Sequence, residues 1–288
     1  MSACVRVSAV VPAHNAARTI DQVLAALVRQ TRPPDELLVV DDGSRDGTAA
    51  AARAANARLV RHARNLGLAA ARNTALREAR GEIVAYFDAD AVPDPSALHH
   101  LLTGYDTDAR LAAVGGQVVE VGTARLPDRW RALFWRQTQG ELRLADAPFV
   151  VGACCSLRRS VALAVGGFSP TFRTNGEDVE LSARLRRAGW RLAYEPAARV
   201  SHLRRDSVAS LVAMVYRHSR DHVRALRLHD EPWSHVVANA LRWGPVTIVS
   251  SLRRHRSAAL AALSPLCYGA SLAGCGRALL ARGRAGHT

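Results

Sequence analysis

The sequence predicts an α/β fold with a mostly parallel central sheet flanked by helices, followed by a helical C-terminal appendage. Three observations carry this. Four short apolar runs recur early in the chain, VRVSAVVP (5–12), ELLVVDD (36–42), ARLVRH (57–62) and EIVAYFD (82–88). Segments of helical period lie between them, and strands alternating with helices of that length imply βαβ crossovers. A chain of 288 residues that is 49% hydrophobic also has enough apolar material for a large core.

The helices of this first half are TIDQVLAALVRQ, with Thr19 as a possible N-cap, then DGTAAAARAA, then GLAAARNTALREAR, which stops before Gly81. After Pro95 the pattern changes. Residues 111–121 read as a strand, 128–144 as an amphipathic helix rich in Trp and Arg, and 149–157 as a strand. A helix from Ser160, the turn VGGFSP, the helix GEDVELSARLRRAG and the strand WRLAYEP follow. No repeat or low-complexity linker interrupts this stretch. Residues 1–202 therefore read as one domain and 203–288 as a basic helical region.

The basic charge sits unevenly. The net charge is +14, and every one of the 39 basic residues is arginine. Residues 203–288 hold 13 Arg against 4 acids, a balance of +9. Within them, residues 257–276 are uncharged for 20 residues, long enough to span a bilayer, with Arg253, Arg254 and Arg256 before and Arg277, Arg282 and Arg284 after. Helices lying on an anionic membrane surface, a true span and an ordinary soluble bundle all fit that pattern. Nucleic acid is not expected as a partner, because aromatic residues make up 5% of the chain and the positive charge belongs to a tail with amphipathic stretches. The five cysteines, Cys4, Cys154, Cys155, Cys267 and Cys275, show neither zinc-ligand spacing nor a disulfide framework. With an N-terminal apolar run broken by Pro12 and His14, this points to a cytoplasmic protein, peripheral on the inner face of a membrane.

Two acidic clusters fall at strand ends, VVDDGSRDGT and FDADAVPD. Ligands of parallel α/β sheets bind beyond the carboxyl ends of the strands. On a strand, Asp88 and Asp90 at i, i+2 share a face, and converging carboxylates favour a hard divalent cation such as Mg²⁺ with phosphate oxygens completing its shell. A solvated turn is the competing reading for the two acids, because Asp favours strand ends and Pro93 and Pro95 follow at once; AVPDP beyond them reads as a turn. Neither GxGxxG nor GxxxxGK[ST] is present, which removes the usual dinucleotide and P-loop readings.

Taken in order, SAVVPAHNAARTIDQVLAALVRQT, ELLVVDDGSRDGT, RNLGLAAARNTAL, VAYFDADAVPDP and NGEDVELSARLRRAGWRL resemble family 2 glycosyltransferases of the GT-A fold, over about residues 5–202. The resemblance implies a nucleoside-diphosphate-sugar donor, a divalent metal (Mg²⁺ or Mn²⁺) and inversion at the anomeric carbon. Asp88, Ala89 and Asp90 match the DxD motif, whose acids bind metal and donor. Asp41 and Asp42 match the acidic pair at the nucleoside, with Pro12, His14 and Asn15 in the adjoining loop, although turn chemistry alone also accounts for His14 and Asn15. Arg72 matches a position that approaches the nucleotide, or else lies on a helix surface. Asp178 matches the general base of the ED motif, with Glu177 orienting the site or the acceptor; as acids in a first helical turn both could also be dipole partners. His202 resembles a third metal ligand, or is structural. Trp130, Trp135 and Trp190 offer either sugar-stacking surfaces or core.

Processive members carry QxxRW and several membrane spans, and neither RHSRD (217–221) nor NALRW (239–243) matches cleanly. The expectation is therefore a non-processive, metal-dependent, inverting transferase that moves one sugar to an acceptor hydroxyl on a glycan or lipid-linked precursor, in cell-wall or other cell-surface glycan synthesis. A sugar-phosphate nucleotidyltransferase and a nucleotide-sugar binding protein without activity are the alternatives. The first lacks its Gly-rich basic loop, and intact Asp88, Asp90 and Asp178 count against the second.

Overall fold

The computed structural model describes residues 5–227 and 234–281. They form two compact units, 5–121 with 137–203, and 122–136 with the residues from 204 onward. The first unit is built on an eight-stranded sheet. Its elements are β1 Val7–Ala13, α1 Ile20–Val28, β2 Glu36–Asp41, α2 Thr48–Ala54, β3 Arg58–Arg61, α3 Leu68–Glu78, β4 Ile83–Phe87, β5 Ala91–Pro93, α4 Ala97–Leu101 and β6 Leu111–Glu120. After α5 (Leu126–Phe134), which belongs to the second unit, come β7 Cys154–Arg158, α6 Arg159–Ala164, α7 Glu177–Arg187 and β8 Arg191–His202.

The sheet order is β3-β2-β1-β4-β7-β6-β8-β5. β1 pairs in parallel with β2 and β4, β2 with β3, and β6 with β8. β7 runs antiparallel to both its neighbours and β5 antiparallel to β8, so the sheet is mixed. β1 and β4 are buried along their whole length, which is why both are continuous apolar runs rather than alternating ones. Alternate residues of β1 feed different layers: Val7, Ala9 and Val11 pack with Ile20, Val23, Leu24 and Leu27 of α1, while Val10 packs with Ala71, Ala75 and Leu76 of α3. Pro12, expected in the loop with His14 and Asn15, lies inside β1 instead, where it is tolerated because pairing with β4 ends at Val10, leaving no partner on that side for its missing N–H.

Several expectations change. Thr19 does not cap α1; its hydroxyl donates to the Ala89 carbonyl at 2.8 Å, tying the loop after β1 to the turn after β4. The helix expected over 128–144 is α5 alone. Its chain leaves helical geometry at Trp135, and Gly140 follows with a φ of 107°. The strand expected over 149–157 is shorter, starting at Cys154. Finally, AVPDP is not just a turn, because Ala91–Pro93 pairs with the end of β8.

The second unit packs α5 with three long helices, α8 Val208–Arg227, α9 Ser234–Arg253 and α10 Ala258–Leu280. Its core gathers Trp130, Leu211, Met214, Val215, Leu260, Leu263 and Cys267. Trp130 is fully buried, donates its indole N–H to the Ser264 hydroxyl at 3.1 Å and meets Trp243 edge-on, so it is core and not a sugar platform. Trp135 also stacks edge-on with Trp243, which places the Trp of NALRW in the same core. Ser257 caps α10 by accepting the Leu260 N–H. Cys154, Cys155, Cys267 and Cys275 are buried free thiols. Cys4, Arg282 and Arg284 lie outside the described residues.

Candidate functional site

The candidate residues collect where β1, β2 and β4 end in the first unit. His14 and Asn15 occupy the loop after β1, where Asn15 takes a left-handed φ of 51°. The His14 Nδ1 lies 2.8 Å from the Asp42 carbonyl, and Asn15 accepts the Arg45 N–H at 3.0 Å. Asp41 closes β2, fully buried, and accepts the Ser44 N–H at 2.9 Å while facing Arg61 at 3.0 Å. Asp42 is buried as well. Its carboxylate accepts the Leu66 and Gly67 N–H groups, both at 2.8 Å, and faces His62 at 2.7 Å. Both carboxylates thus point into protein and hold the loops around them.

β4 stops at Phe87, so Asp88, Ala89 and Asp90 stand in a tight turn closed by the Ala91 N–H on the Asp88 carbonyl at 2.9 Å. A shared strand face is therefore not what brings the two acids together. The turn aims them, and β5 then fixes a third residue beside them. Ala91 lies opposite His202 in the β5–β8 ladder, and the Leu203 N–H donates to the Asp90 carbonyl at 2.7 Å. His202 Nε2 consequently sits 3.4 Å from Asp90, and its Nδ1 2.9 Å from Glu120 on β6. Burial alone would lower the His202 pKa, but its hydrogen bonds to Asp90 and Glu120 overcome that and raise it to about 9. For Asp88, burial raises the pKa, Arg72 opposes it and Asp90 adds to it, with a net rise.

On the other side of the turn, Arg72 reaches in from α3. Its Nη2 donates to Asp88 Oδ1 at 2.8 Å and its Nη1 to Glu177 at the start of α7. Arg72 is 1% exposed, so it is no helix-surface residue. Ala69, Ala71 and Ala75 are buried with it on α3. Glu177 is 2% exposed, and burial together with repulsion from Asp178 outweighs Arg72 and raises its pKa. α7 starts after Gly176, which adopts a left-handed φ of 84° without side-chain capping. Asp178 is half-buried and accepts the Gly152 N–H at 2.9 Å and the Val179 N–H at 2.8 Å.

Asp88, Asp90, His202, Arg72 and Glu177 thereby form one linked group, with Asp178 next to Glu177 in the chain, while Asp41, Asp42, Pro12, His14 and Asn15 form its neighbour. The Thr19 bond to Ala89 joins the two. Glu120, His62 and Gly152 were not anticipated. Each acts only through a partner far along the chain, and nothing local in its own sequence marks it.

The donor set suits a divalent cation. Two carboxylates and an imidazole nitrogen are ligands that Mn²⁺ and related ions accept, and Glu120 on the other ring nitrogen is the outer partner that orients a ligating histidine. Among the described residues no group of three or more His, Cys, Asp or Glu side chains is placed to hold a metal ion. Asp88, Asp90 and His202 are the side chains that could contribute ligands to such an ion, with oxygens of a bound phosphate ligand needed to complete its shell.

This arrangement can be set beside known proteins. The model of the family described as Glycosyl transferase family 2 matches residues 8–166. The chain is 32% identical over 216 residues to the pre-mycofactocin glycosyltransferase of Mycobacterium tuberculosis, covering 72% of this chain and 44% of that protein. It is 28% identical over 282 residues to the N-acetylglucosaminyl-diphospho-decaprenol L-rhamnosyltransferase of the same organism, covering 82% of this chain and 91% of the relative. Among solved structures, the mannosyltransferase PcManGT from Pyrobaculum calidifontis, in complex with GDP-Man and Mn²⁺, matches with a TM-score of 0.68 at 24% identity, over 98% of this chain and 89% of that one. The chain spans less than half the length of the first curated relatives it matches. The mixed sheet with its flanking helices is the GT-A fold. With that fold, and with a family match running from β1 through α6, the chain belongs to glycosyl transferase family 2.

Proposed function

We propose that this protein transfers a single sugar from a nucleoside-diphosphate sugar to an acceptor hydroxyl, with inversion at the anomeric carbon. The observation that carries this is the joining of the turn acids Asp88 and Asp90, with His202, through Arg72 to Glu177, the chain neighbour of Asp178 at the start of α7. Asp41 and Asp42 act by setting the shape of the loops that receive the nucleoside. Asp88, Asp90 and His202 would hold the divalent ion, which when bound would neutralise charge building on the departing diphosphate.

Asp178 takes the acceptor's proton. An inverting displacement needs a base on the face opposite the leaving group. Asp178 is half-buried and fixed by two backbone N–H groups, whereas Glu177 is buried and committed to Arg72. A lipid-linked acceptor is supported by the name of the rhamnosyltransferase relative, which acts on a decaprenol-diphosphate glycan. A panel of UDP-, GDP- and dTDP-sugars with Mn²⁺, read by thermal shift and by release of the nucleoside diphosphate, tests the reading. One donor is expected to stabilise the protein and turn over, and EDTA to abolish turnover. If no donor does either, the proposal fails; if EDTA leaves turnover intact, the metal role does.

The second unit supplies attachment to an anionic membrane from the cytoplasmic side. From residue 234 to 281 the chain holds no acid and five arginines, Arg242, Arg253, Arg254, Arg256 and Arg277. Leu241, Val246, Val249 and Leu252 of α9 and Leu266 of α10 are exposed. α10 is also long and apolar enough to cross a bilayer, a property that core helices share. Each arginine near such a surface is worth about 1 kcal/mol. The protein is expected to float with phosphatidylglycerol-containing vesicles and to stay behind with pure phosphatidylcholine. Val246→Glu with Val249→Glu should release it, and equal distribution between the vesicle types would count against the attachment.

A further inference from the structure

Arg72 sits where family resemblance expects contact with the nucleotide, yet its guanidinium is directed elsewhere. The side chain is 2% exposed, with Asp88 on one terminal nitrogen and Glu177 on the other. It lies 5.7 Å from the Phe168 ring centroid, the Tyr86 hydroxyl donates to its backbone carbonyl at 3.0 Å, and any side chain at Gly152 would run into the guanidinium. Of the three groups, only Asp88 has a side chain open to solvent, at 29%. Within this trio, Arg72 Nε and Glu177 Oε2 are buried without a hydrogen-bond partner among the described residues. The Arg72–Glu177 contact is thus made through one oxygen where a guanidinium fork can engage two.

We infer that Arg72 is a positioning residue that couples the donor-side turn to the acceptor-side helix start and does not bind the nucleotide. This rests on the transfer reading above. Asp88 is shared between Arg72 and whatever cation arrives with a donor. As Asp88 turns to that cation, Arg72 still has Nε–H to offer and Glu177 still has a free oxygen to take it. The start of α7, where Asp178 stands next to Glu177, is thereby held in register with the occupied donor side. A guanidinium on a diphosphate strengthens nucleotide binding, whereas one that competes for Asp88 does not.

The test uses Arg72→Met, Arg72→Lys and the double variant of Arg72→Met with Glu177→Gln. Binding of UDP and of GDP with Mn²⁺ is followed by calorimetry, alongside sugar transfer and thermal melting. For Arg72→Met the nucleotide affinity is expected to stay within about threefold or to tighten, while turnover falls about 100-fold, the scale of a small misplacement of reacting groups. Arg72→Lys keeps the charge without the fork and should restore part of the turnover. The double variant should melt above Arg72→Met, because the unpaired buried carboxylate is gone.

Loss of about tenfold or more in nucleotide affinity, the size expected for a lost charge-assisted bond to phosphate, overturns the inference. Unchanged turnover in Arg72→Met overturns it too, as does a double variant that melts no higher than the single one. A wild-type protein that neither binds a diphosphate nor transfers sugar refutes the transfer reading instead, and the melting comparison still decides whether Arg72 and Glu177 act as a pair.

Discussion

Asp178→Asn is expected to lower sugar transfer by about 10²–10⁴-fold, the usual contribution of a positioned general base, while leaving nucleotide binding nearly intact. The structure explains why this effect should fall on turnover. Asp178 accepts two backbone N–H groups, from Gly152 and from Val179, and it is the acid of the pair that retains access to solvent. An asparagine has one acceptor oxygen, so one of those N–H groups loses its partner, at about 1 kcal/mol of stability. That is too little to unfold the protein. The loss should therefore appear in kcat at saturating donor, with a melting temperature close to that of the wild type. Near-normal turnover of Asp178→Asn would remove Asp178 from the proton-transfer role. Glu177 is a poor replacement, being buried and bonded to Arg72.

The largest effect on stability is expected in the second unit, at Arg131. This arginine is fully buried, pairs with Asp206, lies 3.5 Å from Asp128 and donates to the Arg204 carbonyl at 2.9 Å. Asp128 in turn accepts the Asp206 N–H at 2.7 Å, so α5 and the start of α8 are joined by one charged cluster. Arg131→Met leaves buried carboxylates without their central cation and should cost about 3–5 kcal/mol. Thermal unfolding should shift down on the order of 10 °C. The pH dependence supplies a check. Burial opposes ionisation of Asp206, but its bonds to Arg204 and Ser210 and the charge of Arg131 win, and its pKa is lowered from 3.8. A carboxylate lowered in the folded state stabilises fully above its unfolded value and progressively less as pH falls through the folded one. The gap between wild type and Arg131→Met should narrow below about pH 4, and a gap that widens there would contradict the assignment.

Much of the first unit was legible because its signals are local. An apolar run buried on both faces, the turn that ends it and the helix that follows are properties of contiguous residues, so β1 to β4 and their crossovers could be placed from pattern alone. The acids at the ends of β2 and β4 followed, since strand ends are where a parallel sheet offers side chains to a ligand. For Asp88 and Asp90 the strand period was not the cause. They converge through a turn, with β5 and β8 behind it, and not through a common strand face.

What the linear pattern could not hold is who meets whom across long separations. AVPDP looked like a turn because two prolines dominate its local preferences, yet three of its residues add an edge strand, the position where proline is tolerated. That strand sets His202 beside Asp90. Glu120 and His202 meet across 82 residues of sequence, and Arg72 and Glu177 across 105. Arg72 has the composition of a surface residue and becomes a buried strut only because two acids from other elements compensate its charge. The amphipathic segment that holds α5 likewise looked like part of the first domain, and its Trp130 instead finds its partner on α10 and its Arg131 in Asp206, just before α8. Strand and helix periods follow from local backbone geometry and can be read directly from sequence. Burial of a charge or of a tryptophan depends on which distant groups arrive to satisfy it, and only the folded chain decides that.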